Sequence, residues 1–147
     1  MPVRSELTPR SFPAHNYLVG REKIREFARA VGEVNPLHLD LDAARDAGYA
    51  DLVAPPMFAV VYAATAFEDA MHDPELAIDF AMLLHTGQEF TWGPLVIAGD
   101  EITTEVSLAE VSERAGLLFY PFHSSSLNQR GEQVCAGIWT VVVRPRE

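Results

Sequence analysis

Basic residues are scarce in this sequence. Lysine and arginine together number 11, against 21 aspartates and glutamates, for a net charge of −10. A chain this acidic is a poor match for a nucleic-acid backbone or an anionic membrane surface. It also cannot line a large basic cleft for phosphates, which leaves Arg21, Arg25 and Arg29 as local cations at most. Cysteine is scarcer still. Cys135 stands alone, so no intramolecular disulfide can form, and its apolar surroundings mark a buried, inert thiol. No apolar run is long and unbroken enough to span a bilayer. The N-terminus lacks the apolar segment of a signal peptide. Together these absences imply a cytoplasmic protein. Repeats and low-complexity tracts are missing as well. His15, His72, His85 and His123 are scattered, with no carboxylate or cysteine at metal-ligand spacing, so no metal site is expected. Ser124-Ser125-Ser126 lacks the Gly-x-Ser-x-Gly setting of a nucleophile elbow and reads as a polar strand end.

What the sequence does contain is apolar residues, 48% of the 147, enough for one domain with its own core. Residues 1–15 carry proline, serine and arginine without periodicity and read as an N-terminal arm; residues 16–147 read as a single domain. Asn16 to Val19 suits a short first strand. Ile24, Phe27, Ala28 and Val31 recur at helical spacing, which predicts a helix over Arg21–Val31 stopped by Gly32. Asp40 or Asp42 can cap a short helix over Ala43–Ala47, closed by Gly48. Met57 to Met71 is expected to form a long helix, its run Met57–Phe67 apolar on nearly every face and Pro56 suited to its first position. Such a helix is expected to be wrapped rather than laid on a surface. Beyond Pro74 the pattern turns to strands: Phe80–Trp92, with Gly87 at a bulge or bend, then Glu101–Val111, Leu117–Leu127 and Gln133–Val143. Short turns between them predict antiparallel pairing. Periodicity alone gives an α+β fold.

The densest chemistry lies at Gly32-Glu33-Val34-Asn35-Pro36-Leu37-His38. Pro36 biases Asn35 away from helical geometry, so the chain turns there and can fold Glu33 and His38 toward one point. A carboxylate beside an imidazole is a simple device for holding a water and moving its proton near neutral pH. Glu33 also follows a helix C-terminus, whose negative end should raise its pKa.

The run Gly32 to His38 resembles the Gly-Asp-x-Asn-Pro-Leu-His motif of the MaoC-like, (R)-specific enoyl-CoA hydratase family. Phe90 to Asp100 resembles that family's strand ending in Pro-Val-x-x-Gly-Asp, and Ala54-Pro55-Pro56-Met57-Phe58 sits where its central helix begins. The likeness runs from about Tyr17 to Val143 and is nearest to the single-hot-dog subunits of bacterial fatty-acid-elongation dehydratases. One position departs: the family's aspartate is Glu33 here.

The resemblance implies a hot-dog fold, a long central helix wrapped by a curled antiparallel sheet, with the sheet edge covered in a homodimer or heterodimer. It implies an (R)-specific enoyl-thioester hydratase, or (3R)-hydroxyacyl-thioester dehydratase, of acyl metabolism. Glu33 and His38 would be the catalytic pair and Asn35 an orienting group. Backbone N–H groups of Met57 or Phe58 would stabilise the thioester oxygen, since Pro56 has none to offer. No cofactor is implied beyond the CoA or acyl-carrier pantetheine on the substrate, whose phosphate the local arginines could meet. The resemblance leaves open an acyl-chain-binding subunit of a heteromeric dehydratase, and a hot-dog thioesterase. A structural role is expected for Gly99-Asp100.

Overall fold

The computed structural model describes residues 9–146. Three α-helices, α1 (Arg21–Ala30), α2 (Leu41–Asp46) and α3 (Ala59–Met71), accompany seven strands. The strands are β1 (Arg10–Ser11), β2 (His15–Leu18), β3 (Leu83–Trp92), β4 (Glu101–Leu108), β5 (Ser112–Arg114), β6 (Leu117–Leu127) and β7 (Gln133–Val143). They form one antiparallel sheet with the path β1-β4-β6-β7-β3; β2 also pairs with β4, and β5 folds back on β6. Residues 1–8 of the expected arm lie outside the described residues, while Arg10 and Ser11 pair with Leu108 and Ser107.

Strand alternation sets the sheet's two faces. Leu118, Tyr120, Phe122, Ser124 and Ser126 of β6 point to the helix side, as do Ile102, Thr104, Val106 and Leu108 of β4. Full burial of a side chain such as Phe58 or Phe122 contributes about 1.5–3 kcal/mol. Phe67 of α3 stacks on Trp139 at 4.6 Å and meets Phe122 edge-on at 5.5 Å, locking helix to sheet. The Trp139 indole N–H donates to Ser124 Oγ at 2.8 Å, so that buried serine has a partner. At Gly93 a Cβ would sit 1.9 Å from the Gln133 carbonyl oxygen, so only glycine lets the chain leave β3 so close to β7.

The α+β class stands. The expected long helix wrapped by a curled sheet does not. The helix α3 is 13 residues, about 20 Å at 1.5 Å per residue, preceded by one 3-10 turn over Pro56–Phe58. Only one stripe of it is buried: Ala59, Tyr62, Ala63, Ala66, Phe67 and Ala70. Its alanines let it lie close against the sheet. Val60, Val61 and Ala64 stay half-buried on the other side. The sheet is open: its end strands, β1 and β3, do not pair with each other.

Other bounds shift by a few residues. Phe80–Met82 is a 3-10 turn capped by Asp79 rather than part of β3. Capping by Asp40 starts α2 at Leu41 instead of Ala43. The register slips between His85 and Gly87, at the expected bulge. No helix of the described residues is long and apolar enough to cross a membrane.

Candidate active site

The site is built from a turn, a short extended segment and a helix start. Helix α1 ends where Gly32 takes φ +72°, a left-handed conformation that ordinary side chains resist, and the Glu33 N–H returns to the Ala28 carbonyl at 2.8 Å. The turn is then pinned by side chains acting on their own backbone. Glu33 Oε1 accepts from the N–H groups of Val34 and Asn35, at 2.9 and 3.0 Å. Asn35 Oδ1 accepts from the Leu37 N–H at 3.0 Å and caps a 3-10 turn over Pro36–His38. Asp40 then caps α2.

His38 is held differently. It is 6% exposed, and its Nδ1 lies 2.6 Å from the Val53 carbonyl oxygen. A carbonyl only accepts, so Nδ1 carries the proton, and the neutral ring presents its lone pair at Nε2. The Val53 N–H in turn donates to the Leu37 carbonyl at 3.0 Å. Leu52 to Ala54 is itself braced from the far side: Ala54 N–H to Val96 O at 2.8 Å, Ala98 N–H to Leu52 O at 2.9 Å. Asp100, 2% exposed, anchors that brace by accepting from the Ile97 N–H at 3.0 Å and from Gln129 Nε2 at 2.9 Å. The two sequence motifs thus meet through residues 52–54, and Asp100 is structural. The Val53 carbonyl was invisible to sequence reasoning, because a backbone oxygen has no side-chain signature.

Glu33 and His38 lie on one turn, but no hydrogen bond joins them among the described residues. Glu33 is half-buried, and its second carboxylate oxygen has no partner there. The expected rise in its pKa is reversed. The N–H groups of Asn35 and then Val34 hold its carboxyl below the ordinary 4.5, with a smaller contribution from the nearby His38. Two aimed N–H dipoles outweigh the diffuse end of a short helix.

Of the two candidate oxyanion donors, the Phe58 N–H is already spent on the Pro55 carbonyl at 2.8 Å. The Met57 N–H, in the first turn, has no acceptor among the described residues. Pro55 and Pro56 help to line a cavity of about 60 Å³, together with Ala54, Tyr62, Trp92 and Val134. The Tyr62 hydroxyl is in hydrogen-bond contact with the Cys135 thiol, and burial pushes both groups' pKa up.

Most of the remaining candidates are occupied elsewhere. Arg21 binds Asp51 through two hydrogen bonds, of 2.9 and 2.6 Å. Arg25 meets Glu22 and the Leu39 carbonyl. The Arg29 side chain has no ion pair or hydrogen bond among the described residues. His15 pairs with Asp69 at 2.8 Å, and His72 and His85 bond backbone carbonyls. Among the described residues no group of three or more His, Cys, Asp or Glu side chains could hold a metal ion.

Comparison with known proteins fits this geometry. Residues 7–136 match the family model described as "FAS1-like, dehydratase domain region". A UPF0336 protein of Clavibacter michiganensis subsp. michiganensis is 43% identical over 145 residues, 98% of this chain and 97% of the relative. A chain of the C-terminally truncated HadBC (3R-hydroxyacyl-ACP dehydratase) complex of Mycobacterium tuberculosis superposes with a TM-score of 0.81 at 29% identity, covering 95% of this chain and 99% of that one. A MaoC-like dehydratase superposes with a TM-score of 0.79 at 33% identity, covering 92% of this chain and 41% of that one.

Proposed function

Because this chain belongs to the FAS1-like dehydratase-region family, we propose that it adds water across the double bond of a trans-2-enoyl thioester and, in reverse, dehydrates a (3R)-hydroxyacyl thioester. It is a hydro-lyase of the MaoC-like hot-dog kind, acting on acyl thioesters of fatty-acid metabolism in the cytoplasm. The observation that carries this reading is His38, buried and fixed with Nε2 as its free nitrogen.

In the hydration direction, Nε2 takes a proton from the water as its oxygen attacks C3. The electron pair of the double bond moves onto the thioester, and the negative oxygen is met by the free Met57 N–H. The imidazolium then gives its proton to C2, which restores the neutral ring. Glu33 stays ionised, so its free oxygen accepts the water's second hydrogen and orients it without trading protons. Asn35 holds the turn that sets the two side chains' spacing. The substrate carries CoA or a carrier-protein pantetheine, and the likeness to a dehydratase of acyl carrier substrates favours the second.

A second hot-dog subunit, identical or not, completes the assembly. Strand β3 has one unpaired edge among the described residues, and Leu84 and Trp92 are exposed along it. Glu33 supports one other reading, an acyl-binding subunit of a heteromeric dehydratase, since one of its carboxylate oxygens is turned back into its own loop. The test is loss of the conjugated enoyl absorbance when the purified chain meets trans-2-butenoyl-CoA, alone and mixed with a partner hot-dog subunit. Activity of the chain alone supports the enzyme. Activity only in the mixture, unchanged when His38 is replaced, supports the binding subunit. Release of free thiol would mark a thioesterase.

A further inference from the structure

We propose that Arg21 and Arg25 are positioning residues that splint the His38 turn to the segment carrying its Val53 acceptor, a role that rests on His38 as the proton carrier proposed above. The His38–Val53 bond joins two stretches 15 residues apart in the chain. Helix α1 reaches both. Arg25 Nε donates to the carbonyl of Leu39, the residue after His38, at 2.9 Å. Arg21 grips the carboxylate of Asp51, two residues before Val53, through Nε and Nη2 at 2.9 and 2.6 Å. The two arginines are four residues apart, so they leave the same side of the helix one turn apart. One helix therefore sets the spacing between the histidine and its acceptor.

Each end of the splint is itself fixed. Ile24 and Ala28 are buried, and Phe27 meets Phe58 edge-on at 5.5 Å, which keys α1 to the core. Glu22 meets the Arg25 guanidinium from one turn earlier and aligns it. The Leu52 N–H donates to Asp51 Oδ1 at 2.7 Å, so the gripped carboxylate is tied to the backbone leading into Val53. An exposed ion pair contributes little by itself. This one is two-pronged, and its Asp51 side chain is only 18% exposed. Arg29, in the last turn of α1, has no side-chain partner among the described residues. It is a cation of the same helix that splints nothing.

The experiment compares Arg21→Gln, Arg25→Gln and the double variant with the parent, and uses Arg29→Gln to measure lost charge alone. The first readout is nitrogen NMR of the His38 ring, assigned by the signals missing from His38→Ala. The parent ring is expected to carry its proton on Nδ1. The other tautomer should appear in the double variant and not in Arg29→Gln. The second readout is kcat and KM on butenoyl-CoA and butenoyl-pantetheine. A displacement of about 1 Å can cost about 10²-fold, so kcat of the double variant should fall by about 10- to 100-fold on both substrates with KM nearly unchanged. Arg25→Lys keeps a donor for the Leu39 carbonyl and should regain most of the rate lost in Arg25→Gln. Arg21→Lys gives up the two-pronged grip and should not. Should the double variant fail to fold by circular dichroism, Asp51→Asn, which removes the charge that Arg21 grips, is read in its place. A change of tautomer in a chain that hydrates nothing sinks the hydro-lyase reading and leaves the splint standing. An unchanged tautomer overturns the splint. So does a rise in KM on the CoA thioester alone, which would mark the arginines as phosphate ligands.

Discussion

The two ends of the motif turn are held by opposite means. The Glu33 side chain is half-buried and, among the described residues, bonded only to the next two residues of its own loop. His38 is buried and bonded to a segment 15 residues away, itself braced by residues 96–100. One end is a local structure that a short peptide could write. The other exists only because three separate parts of the chain come together. The difference supports the division of labour proposed above, in which the group that trades a proton is the one clamped by tertiary structure and the local end supplies a fixed charge.

Removing the clamped end breaks that contrast most directly. His38→Ala is expected to lower enoyl hydration by about 10²- to 10⁴-fold, the usual loss for a positioned acid–base group. The orphaned Val53 carbonyl should also cost about 1–3 kcal/mol of stability. Steady-state rates and a denaturant melt measure the two together, and full activity would remove His38 from the chemistry. At the local end, Glu33→Gln keeps an acceptor for the turn but loses the charge. A hydrogen bond to a charged group contributes about 1.5–3 kcal/mol, so hydration should fall by about 10- to 100-fold with little change in melting. If the parent, Glu33→Asp and Glu33→Gln are equally inactive under every subunit pairing, the acyl-binding subunit is the better reading.

The brace can be weakened without touching the turn. Asp100→Asn places an amide where two donors now converge, so it should cost about 1–3 kcal/mol in stability. It should also slow hydration while leaving the Glu33 loop intact, read as unchanged Val34 and Asn35 amide shifts. The smallest effect concerns pH. The Glu33 carboxyl is depressed below 4.5, so its grip on the Val34 and Asn35 amides persists as pH falls through the ordinary glutamate range. It is lost only below that, as the folded-state carboxyl takes its proton. Amide shifts of these two residues should titrate below 4.5 in the parent and stay flat in Glu33→Gln. A titration above 4.5 would contradict the hydrogen-bonded carboxylate.

Local features were legible in the sequence and relational ones were not. The apolar stripe of α1, its stop at Gly32, the turn at Pro36 and the alternation of β4, β6 and β7 all follow from rules that act over a few residues. The burial of α3 did not. Its inner stripe is largely alanine, and Val60, Val61 and Ala64 on the outer side are just as apolar, so composition could not separate the faces. Phe80–Met82 looked like strand because it is apolar, yet the Asp79 carboxylate bonds the Ala81 N–H and turns the chain. At the site, the residue types were readable and their environments were not. The depression of the Glu33 pKa depends on two N–H groups whose direction only the folded turn reveals.

The acceptor that orients His38 is a carbonyl, and a carbonyl survives every substitution. Whatever side chain stands at position 53, the oxygen facing Nδ1 remains, so drift at that position cannot switch the imidazole to its other tautomer. A histidine oriented by aspartate can be disarmed by almost any change in its partner; this one is open to a single kind of change. The vulnerable change at 53 is to proline, which removes the N–H now bonded to the Leu37 carbonyl and with it the register that presents the oxygen. The turn thus carries an imidazole whose polarity is inherited from the path of the chain.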